Sequence, residues 1–201
     1  MEGKLNKVIS YLFHPLLMPT MTFLILYRFM PEIIKPLTIV TLPFLFITTF
    51  MIPVLSISVL KFSGHISNFS LDKREERIMP FFFVSIFYGL TAYLFVFKIQ
   101  VNDVIATLLL ATSVLVVLLT VITLWFKISI HAAGISGVVG FFIAFGLRYP
   151  DSQALYPLMF LTIAAGLVMS ARLQLNAHTP QEIIAGLLVG LSICSGAMFI
   201  V

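Results

Sequence analysis

Long apolar stretches alternate with short polar segments along the whole chain. Each stretch is about twenty residues long, which is the length that an α-helix needs to cross the hydrocarbon core of a membrane. The stretches cover roughly residues 8–27, 36–60, 79–97, 104–126, 128–147, 153–171 and 179–201. The pattern therefore predicts seven membrane-spanning helices.

The first stretch is interrupted by His14, Pro15 and Pro19. A proline inside a helix removes a backbone hydrogen bond and clashes with the preceding turn, so we expect a kink here. The same residues would also suit a re-entrant segment that enters and leaves on one face. The sequence therefore leaves six or seven spans open.

The composition is typical of a protein whose solvent is lipid. Of the 201 residues, 60% are hydrophobic and 10% are charged, whereas a soluble domain carries about 25% charged residues. A transmembrane barrel would show alternating segments of about ten residues, and the stretches here are continuous. We therefore predict an all-α, polytopic transmembrane helical bundle, a single domain over residues 1–201 that contacts membrane lipids. The net charge of +4 forms no basic stripe with interleaved aromatic residues, which argues against nucleic acid as a partner. The oligomeric state stays open.

Three polar segments are predicted to share one face of the membrane. They cover residues 61–79, 127–131 and 172–182, and two predicted spans separate each from the next. A helix out and a helix back return the chain to the same face, and with seven spans the N-terminus lies there too. This face is the richer in Lys and Arg, which the positive-inside rule would make cytoplasmic. Basic residues of a binding site carry no information on orientation, so both orientations stay open.

The first of these segments contains an unbroken charged run at residues 72–77, shortly before Pro80. Lys73 and Arg77 are four residues apart, so on a helix they would project from the same side. That pair would suit a phosphate clamp, because a guanidinium can bind two oxygens at once. The alternative is a solvated loop whose acidic and basic residues pair with each other.

The second segment leads into the fifth span with Lys127, Ser129 and His131. An ionisable residue at the start of a membrane helix is a candidate functional residue. The free N–H groups and dipole of a helix N-terminus also attract anions. The alternative is an interfacial histidine that only marks the membrane boundary.

The third segment carries Arg172, His178 and Glu182 before the last span. Glu182 comes one helical turn after His178, so its carboxylate could hold the imidazole in one tautomer for work as a nucleophile or base. Residues 179–182 also read as a capping box with proline at the first helical position. Both roles are compatible. Because two spans separate His131 from His178, we expect the two imidazoles to meet at one depth.

These motifs resemble the three signatures of the type 2 phosphatidic acid phosphatase family, K-x6-R-P, P-S-G-H and S-R-x5-H-x3-D. Residues 171–182 match the third signature, with Ala171 in place of Ser and Glu182 in place of Asp. Residues 128–131 keep the Ser and His of the second signature and lack its Pro and Gly. In the first signature Arg77 is followed by Pro80, and Lys73 stands in for the Lys. The similar part covers about residues 61–201.

The resemblance implies a site residue by residue. His178 resembles the nucleophile that becomes phosphohistidine, Glu182 the carboxylate that orients it, and His131 the acid that protonates the departing oxygen. The expected phosphate-binding residues are Lys73, Arg77, Lys127, Ser129 and Arg172. Cationic side chains would neutralise the developing charge, so neither a metal nor a cofactor is expected.

The sequence thus favours a metal-independent lipid phosphatase at one membrane interface, placed in the inner membrane of a bacterium. Its substrate would be a phosphate monoester or diphosphate of a lipid, such as phosphatidic acid, phosphatidylglycerol phosphate or an isoprenyl diphosphate. The alternative is a non-catalytic protein that binds or transports lipid headgroups on the same scaffold. A metal-dependent hydrolase is a third possibility, although the sequence has no H-E-x-x-H motif.

Overall fold

The computed structural model of the chain describes residues 2–34, 41–69, 71 and 73–200. The start of the predicted second span and Asp72 of the charged run lie outside the described residues. Every regular element within them is helical. The α-helices are α1 Glu2–Leu12, α2 Met18–Phe29, α3 Pro31–Ile34, α4 Thr41–Phe46, α5 Ile52–Phe62, α6 Ile78–Tyr93, α7 Asp103–Thr123, α8 Ile130–Arg148, α9 Leu155–Gln174 and α10 Pro180–Ile200. Tighter or wider turns adjoin some of them: 3₁₀ turns at Pro15–Leu17 and Glu75–Arg77, and π-helical turns at Ile47–Met51 and Leu94–Ile99.

These helices combine into seven candidate spans within the described part of the chain, each long and apolar enough to cross a membrane. The spans are Gly3–Phe29, Thr41–Phe62, Glu75–Ile99, Asp103–Thr123, Ile130–Arg148, Leu155–Gln174 and Pro180–Ile200. Each overlaps one predicted stretch, so the prediction of an all-α, multi-pass membrane bundle is confirmed.

The first span is broken by the 3₁₀ turn Pro15–Leu17 and does not reverse there. On one side of the break, Nδ2 of Asn6 donates to Oε1 of Gln174 at 2.7 Å, at the C-terminal end of α9. On the other side, α2 packs against α4, which opens the second span. The segment therefore runs from one face of the bundle to the other, and seven spans are preferred to six.

Backbone and side-chain contacts join the three polar segments at one end of the bundle. Nη1 of Arg77 donates to the carbonyl of Ile128 at 3.3 Å, which links the first segment to the second. The backbone N–H of Ser129 donates to the carbonyl of Glu182 at 3.1 Å, which links the second to the third. The predicted shared face is confirmed. We call it the site face.

Helix α8 lies at the centre of the bundle, and 72% of its span is buried. It packs against α10 at glycines. A Cβ added at Gly190 would collide with the backbone of Ala133, and one added at Gly140 would lie 2.6 Å from the carbonyl oxygen of Leu191. Gly186 and Gly190 form a G-x-x-x-G pattern, which allows two membrane helices to approach backbone to backbone.

We predict that Gly190→Ala destabilises the protein by about 1–3 kcal/mol, because the new methyl group overpacks the contact with α8. Gly166→Ala is the matched control, since a Cβ there would meet nothing within 4 Å and helical alanine is favoured over glycine. The midpoint of thermal unfolding in detergent, followed by circular dichroism, checks both. Equal midpoints for the two variants would contradict the proposed close contact.

Candidate functional site

A cavity of about 430 Å³ extends from the site face into the bundle. Ionisable side chains line its polar end: His14, Arg77, His131, Arg172 and His178. Apolar residues line the deeper part, among them Leu108, Leu115, Val138 and Cys194. Cys194 lies fourteen residues into α10, about 21 Å along the helix at a rise of about 1.5 Å per residue.

His178 and Glu182 form the predicted pair. Nδ1 of His178 lies 2.6 Å from Oε2 of Glu182. The same oxygen accepts from the backbone N–H of Thr179 at 3.3 Å, and Oγ1 of Thr179 accepts from the backbone N–H of Glu182 at 3.4 Å. The capping box and the imidazole contact therefore coexist, as the sequence analysis allowed. One carboxylate fixes both the helix start and the ring.

His178 is neutral at physiological pH. Burial of the ring, together with the positive charges of Arg77 and Arg172, lowers the pKa of His178 from 6.5 to about 4, while its hydrogen bond to Glu182 acts in the opposite direction. The neutral ring donates its Nδ1 proton to the carboxylate, which leaves the lone pair on Nε2. That tautomer is the one required of a nucleophile or a general base.

His131 is buried in the first turn of α8. Its Nε2 lies 3.2 Å from the backbone carbonyl of Ser10, and since a carbonyl can only accept, Nε2 carries the proton. Its Nδ1 is buried and has no hydrogen-bond partner within the described part of the chain. The nitrogen of His131 left available for proton transfer is therefore Nδ1.

Arg77 joins two of the polar segments beneath the cavity wall. It is 5% exposed, its Nε donates to the carbonyl of Leu71 at 2.7 Å, and its Nη1 donates to the carbonyl of Ile128 at 3.3 Å. Arg172 lines the same cavity from the end of α9. Arg77, Arg172 and His178 thus line the same cavity.

The expected Lys73–Arg77 clamp is not formed. Lys73 has a side chain 72% exposed, pairs with Glu76 at 3.6 Å, and does not line the cavity. Lys73 lies in a bend before the 3₁₀ turn Glu75–Arg77, so the two residues do not share the face of one α-helix. Lys73 therefore fits the alternative of a solvated loop with its own ion pairs. Of the two residues, Arg77 is the one that lines the cavity.

Ser129 and Lys127 lie next to the cavity. Ser129 is fully buried, and its Oγ accepts from the backbone N–H of Ala132 at 3.4 Å as the N-cap of α8. It therefore positions the helix and does not line the cavity. Lys127 lines an adjoining surface pocket together with His178 and Glu182. Of the two residues, Lys127 is the one whose positive charge would lie near an anion bound beside His178.

The structure adds His14, which the sequence indicates only as part of a helix break. Its ring lines the cavity and meets the ring of His131 edge-on, with centroids 5.4 Å apart and planes at 82°. The spacing of polar residues could have predicted His14 as a cavity residue. Polar residues of α1 and of the break recur at intervals of three and four, which places them on one side of an apolar segment. These residues are Lys7, Ser10, Tyr11 and His14, and all line the cavity.

Metal ligands were not predicted from the sequence. Among the described residues, no group of three or more His, Cys, Asp or Glu side chains is arranged to hold a metal ion.

No protein-family model matches this chain, and neither a curated protein nor a solved structure matches it. The resemblance to the type 2 phosphatidic acid phosphatases therefore rests on the motifs alone and stays a prediction.

We predict that His178 remains neutral as the pH falls and titrates near pH 4, because the folded site lowers its pKa. Ring signals of labelled histidines in detergent micelles would report the midpoint, with His178→Asn assigning the signal. Arg172→Gln should raise the midpoint, since it removes a nearby positive charge. A midpoint near 6.5 in the wild type would contradict the proposed burial.

Proposed function

We propose that this chain is an integral membrane lipid phosphatase that hydrolyses a phosphate monoester or diphosphate of a lipid through a phosphohistidine intermediate. The observation that carries the proposal is the 2.6 Å contact between His178 and Glu182 beside Arg77 and Arg172 at the polar end of the cavity. We place the protein in the inner membrane of a bacterium, as the motifs suggest.

In the first step, Nε2 of His178 attacks the phosphorus atom of the substrate. A P–N bond forms while the bond from phosphorus to the lipid oxygen breaks. Nδ1 of His131, which takes up a proton from water when the anionic phosphoryl group binds, gives that proton to the oxygen, so the lipid leaves as an alcohol, or as a monophosphate where the substrate is a diphosphate. Glu182 keeps the Nδ1 proton of His178 in place and stabilises the positive charge that develops on the ring.

In the second step, water attacks the phosphohistidine. His131, now neutral, takes the proton of that water at Nδ1 and returns to its starting state. The P–N bond breaks, inorganic phosphate leaves, and His178 regains its Nε2 lone pair. Each proton given in the first step is recovered in the second.

Two guanidinium groups supply the charge that the transferring phosphoryl group requires. Arg77 donates from Nε and Nη1 to backbone carbonyls, which fixes its guanidinium group at the polar end of the cavity. Arg172 approaches from the end of α9. Fixed positive charge in an apolar site stabilises a developing negative charge without reorganisation.

The shape of the cavity suits an amphiphile. Its polar end carries the three imidazoles and two arginines, and its deeper wall is apolar. A phosphorylated headgroup would occupy the first part, and the apolar chain of phosphatidic acid, phosphatidylglycerol phosphate or an isoprenyl diphosphate would occupy or adjoin the second.

A second candidate is a headgroup-binding or transport protein without catalysis. The depth of the cavity supports it, because a passage that reaches Cys194 covers much of the length of α10. Such a protein would need the arginines and would tolerate loss of His178.

We predict that His178→Ala abolishes phosphate release from detergent-solubilised lipid phosphates, because alanine lacks the Nε2 atom that forms the P–N bond. The control is His65→Gln, since His65 lies on an exposed loop and contacts Ser63. Release should be unchanged by a chelator. Full activity in His178→Ala would refute the assigned nucleophile, and lipid binding without release in the wild type would favour transport.

We predict that Glu182→Asp lowers kcat by about tenfold to a thousandfold with little change in KM, because the shorter side chain loses its contact with the ring. Unfolding midpoints should change little, since aspartate still suits the first turn of a helix. Steady-state kinetics of phosphate release measures kcat and KM separately and so checks this prediction. A variant with normal kcat would contradict the expected loss of the contact with the ring.

A further inference from the structure

The cavity contains a third imidazole for which the proposed mechanism has no use. His14 sits at the break of the first span, and its side chain is half-buried in the cavity wall. His131 and His178 account for proton transfer and attack. A histidine in the interior of a membrane bundle is costly unless it has a partner or a task.

The orientation of the His14 ring is fixed by the backbone. Its Nδ1 accepts from the N–H of Leu16 at 3.3 Å, so that His14 caps the 3₁₀ turn Pro15–Leu17. Because Nδ1 accepts, the proton of the neutral ring resides on Nε2. Nε2 is the distal ring nitrogen, so the N–H donor lies on the part of the ring farthest from its own backbone.

Helix α1, which leads into His14, also contacts His131, the acid of the proposed mechanism. The carbonyl of Ser10, one turn before His14, accepts from Nε2 of His131. The hydrogen bond from Asn6 to Gln174 ties the start of α1 to the end of α9, two residues beyond Arg172. The wall that presents His14 is thus fixed to the residues that surround the reacting phosphorus atom.

We propose that His14 is a substrate-contacting residue whose Nε2–H donates a hydrogen bond to a phosphoryl oxygen held between Arg172 and His131. This inference rests on the proposed phosphate site, and it assigns the first span a direct part in binding. The ligand is the phosphoryl group itself, whether on a lipid or as free phosphate. The ring of His14 meets the ring of His131 edge-on, and Nδ1 of His131 accepts no hydrogen bond from it.

Two substitutions separate this role from helix capping. In His14→Asn the side-chain oxygen takes the place of Nδ1, so the cap to Leu16 is kept and the distal donor is lost. In His14→Gln the longer amide brings a donor close to the place of Nε2 and gives up the cap. His65→Gln serves as the control for a histidine away from the cavity.

The experiment measures binding of inorganic phosphate and of dihexanoyl phosphatidic acid by ³¹P line broadening, with the unfolding midpoint of each variant. His14→Asn should weaken binding of both by about tenfold to a hundredfold, the equilibrium factor of one hydrogen bond to a charged oxygen, with an unchanged midpoint. His14→Gln should stay within about threefold of the wild type. Wild-type binding in His14→Asn, or losses that follow the midpoints, would overturn the inference.

Phosphate release measured on the same samples distinguishes failure of the His14 inference from failure of the proposed phosphatase function. A wild type that binds phosphate through His14 and releases none from any lipid phosphate would refute the phosphatase while leaving His14 in its role. Release that depends on His178 and is unaffected in His14→Asn would refute the inference alone.

Discussion

The close approach of α8 and α10 is the contact on which the rest of the site depends. Lipid provides no hydrophobic force between helices, so two membrane helices associate where their surfaces pack without gaps. The glycines on α10 let the backbone of α8 lie directly against it. At the site face the contact ends in the hydrogen bond from Ser129 to the carbonyl of Glu182. His131 and His178 stand at the two helix starts that this bond joins.

Polar groups inside the bundle are held by backbone carbonyls. Arg77 donates to Leu71 and Ile128, and His131 contacts the carbonyl of Ser10. An ionisable group in apolar surroundings is costly unless hydrogen bonds replace its hydration. Hydrogen bonds to carbonyls orient these side chains before any ligand arrives. Pre-oriented groups of this kind are what a phosphoryl site requires.

The departures from the family signatures fit local structure. Glu182 is one methylene longer than aspartate, yet its carboxylate reaches both His178 and the N–H of Thr179. Ser129 is a buried helix cap, which accounts for its place outside the cavity wall. The proposed chemistry therefore falls on fewer residues than the signatures name, with His14 as an addition from the first span.

The sequence by itself determined what depends on chain length and short spacing. The lengths of the apolar stretches predicted six or seven spans, and two spans between successive polar segments predicted that these segments share one face. A spacing of four residues predicted the pair of His178 and Glu182. The placement of Lys73 and His14 was decided by the tertiary structure. Lys73 lies in an exposed bend and pairs with Glu76, and docking of α1 beside α9 brought His14 to His131. Such placements depend on how distant segments pack, which local spacing does not encode.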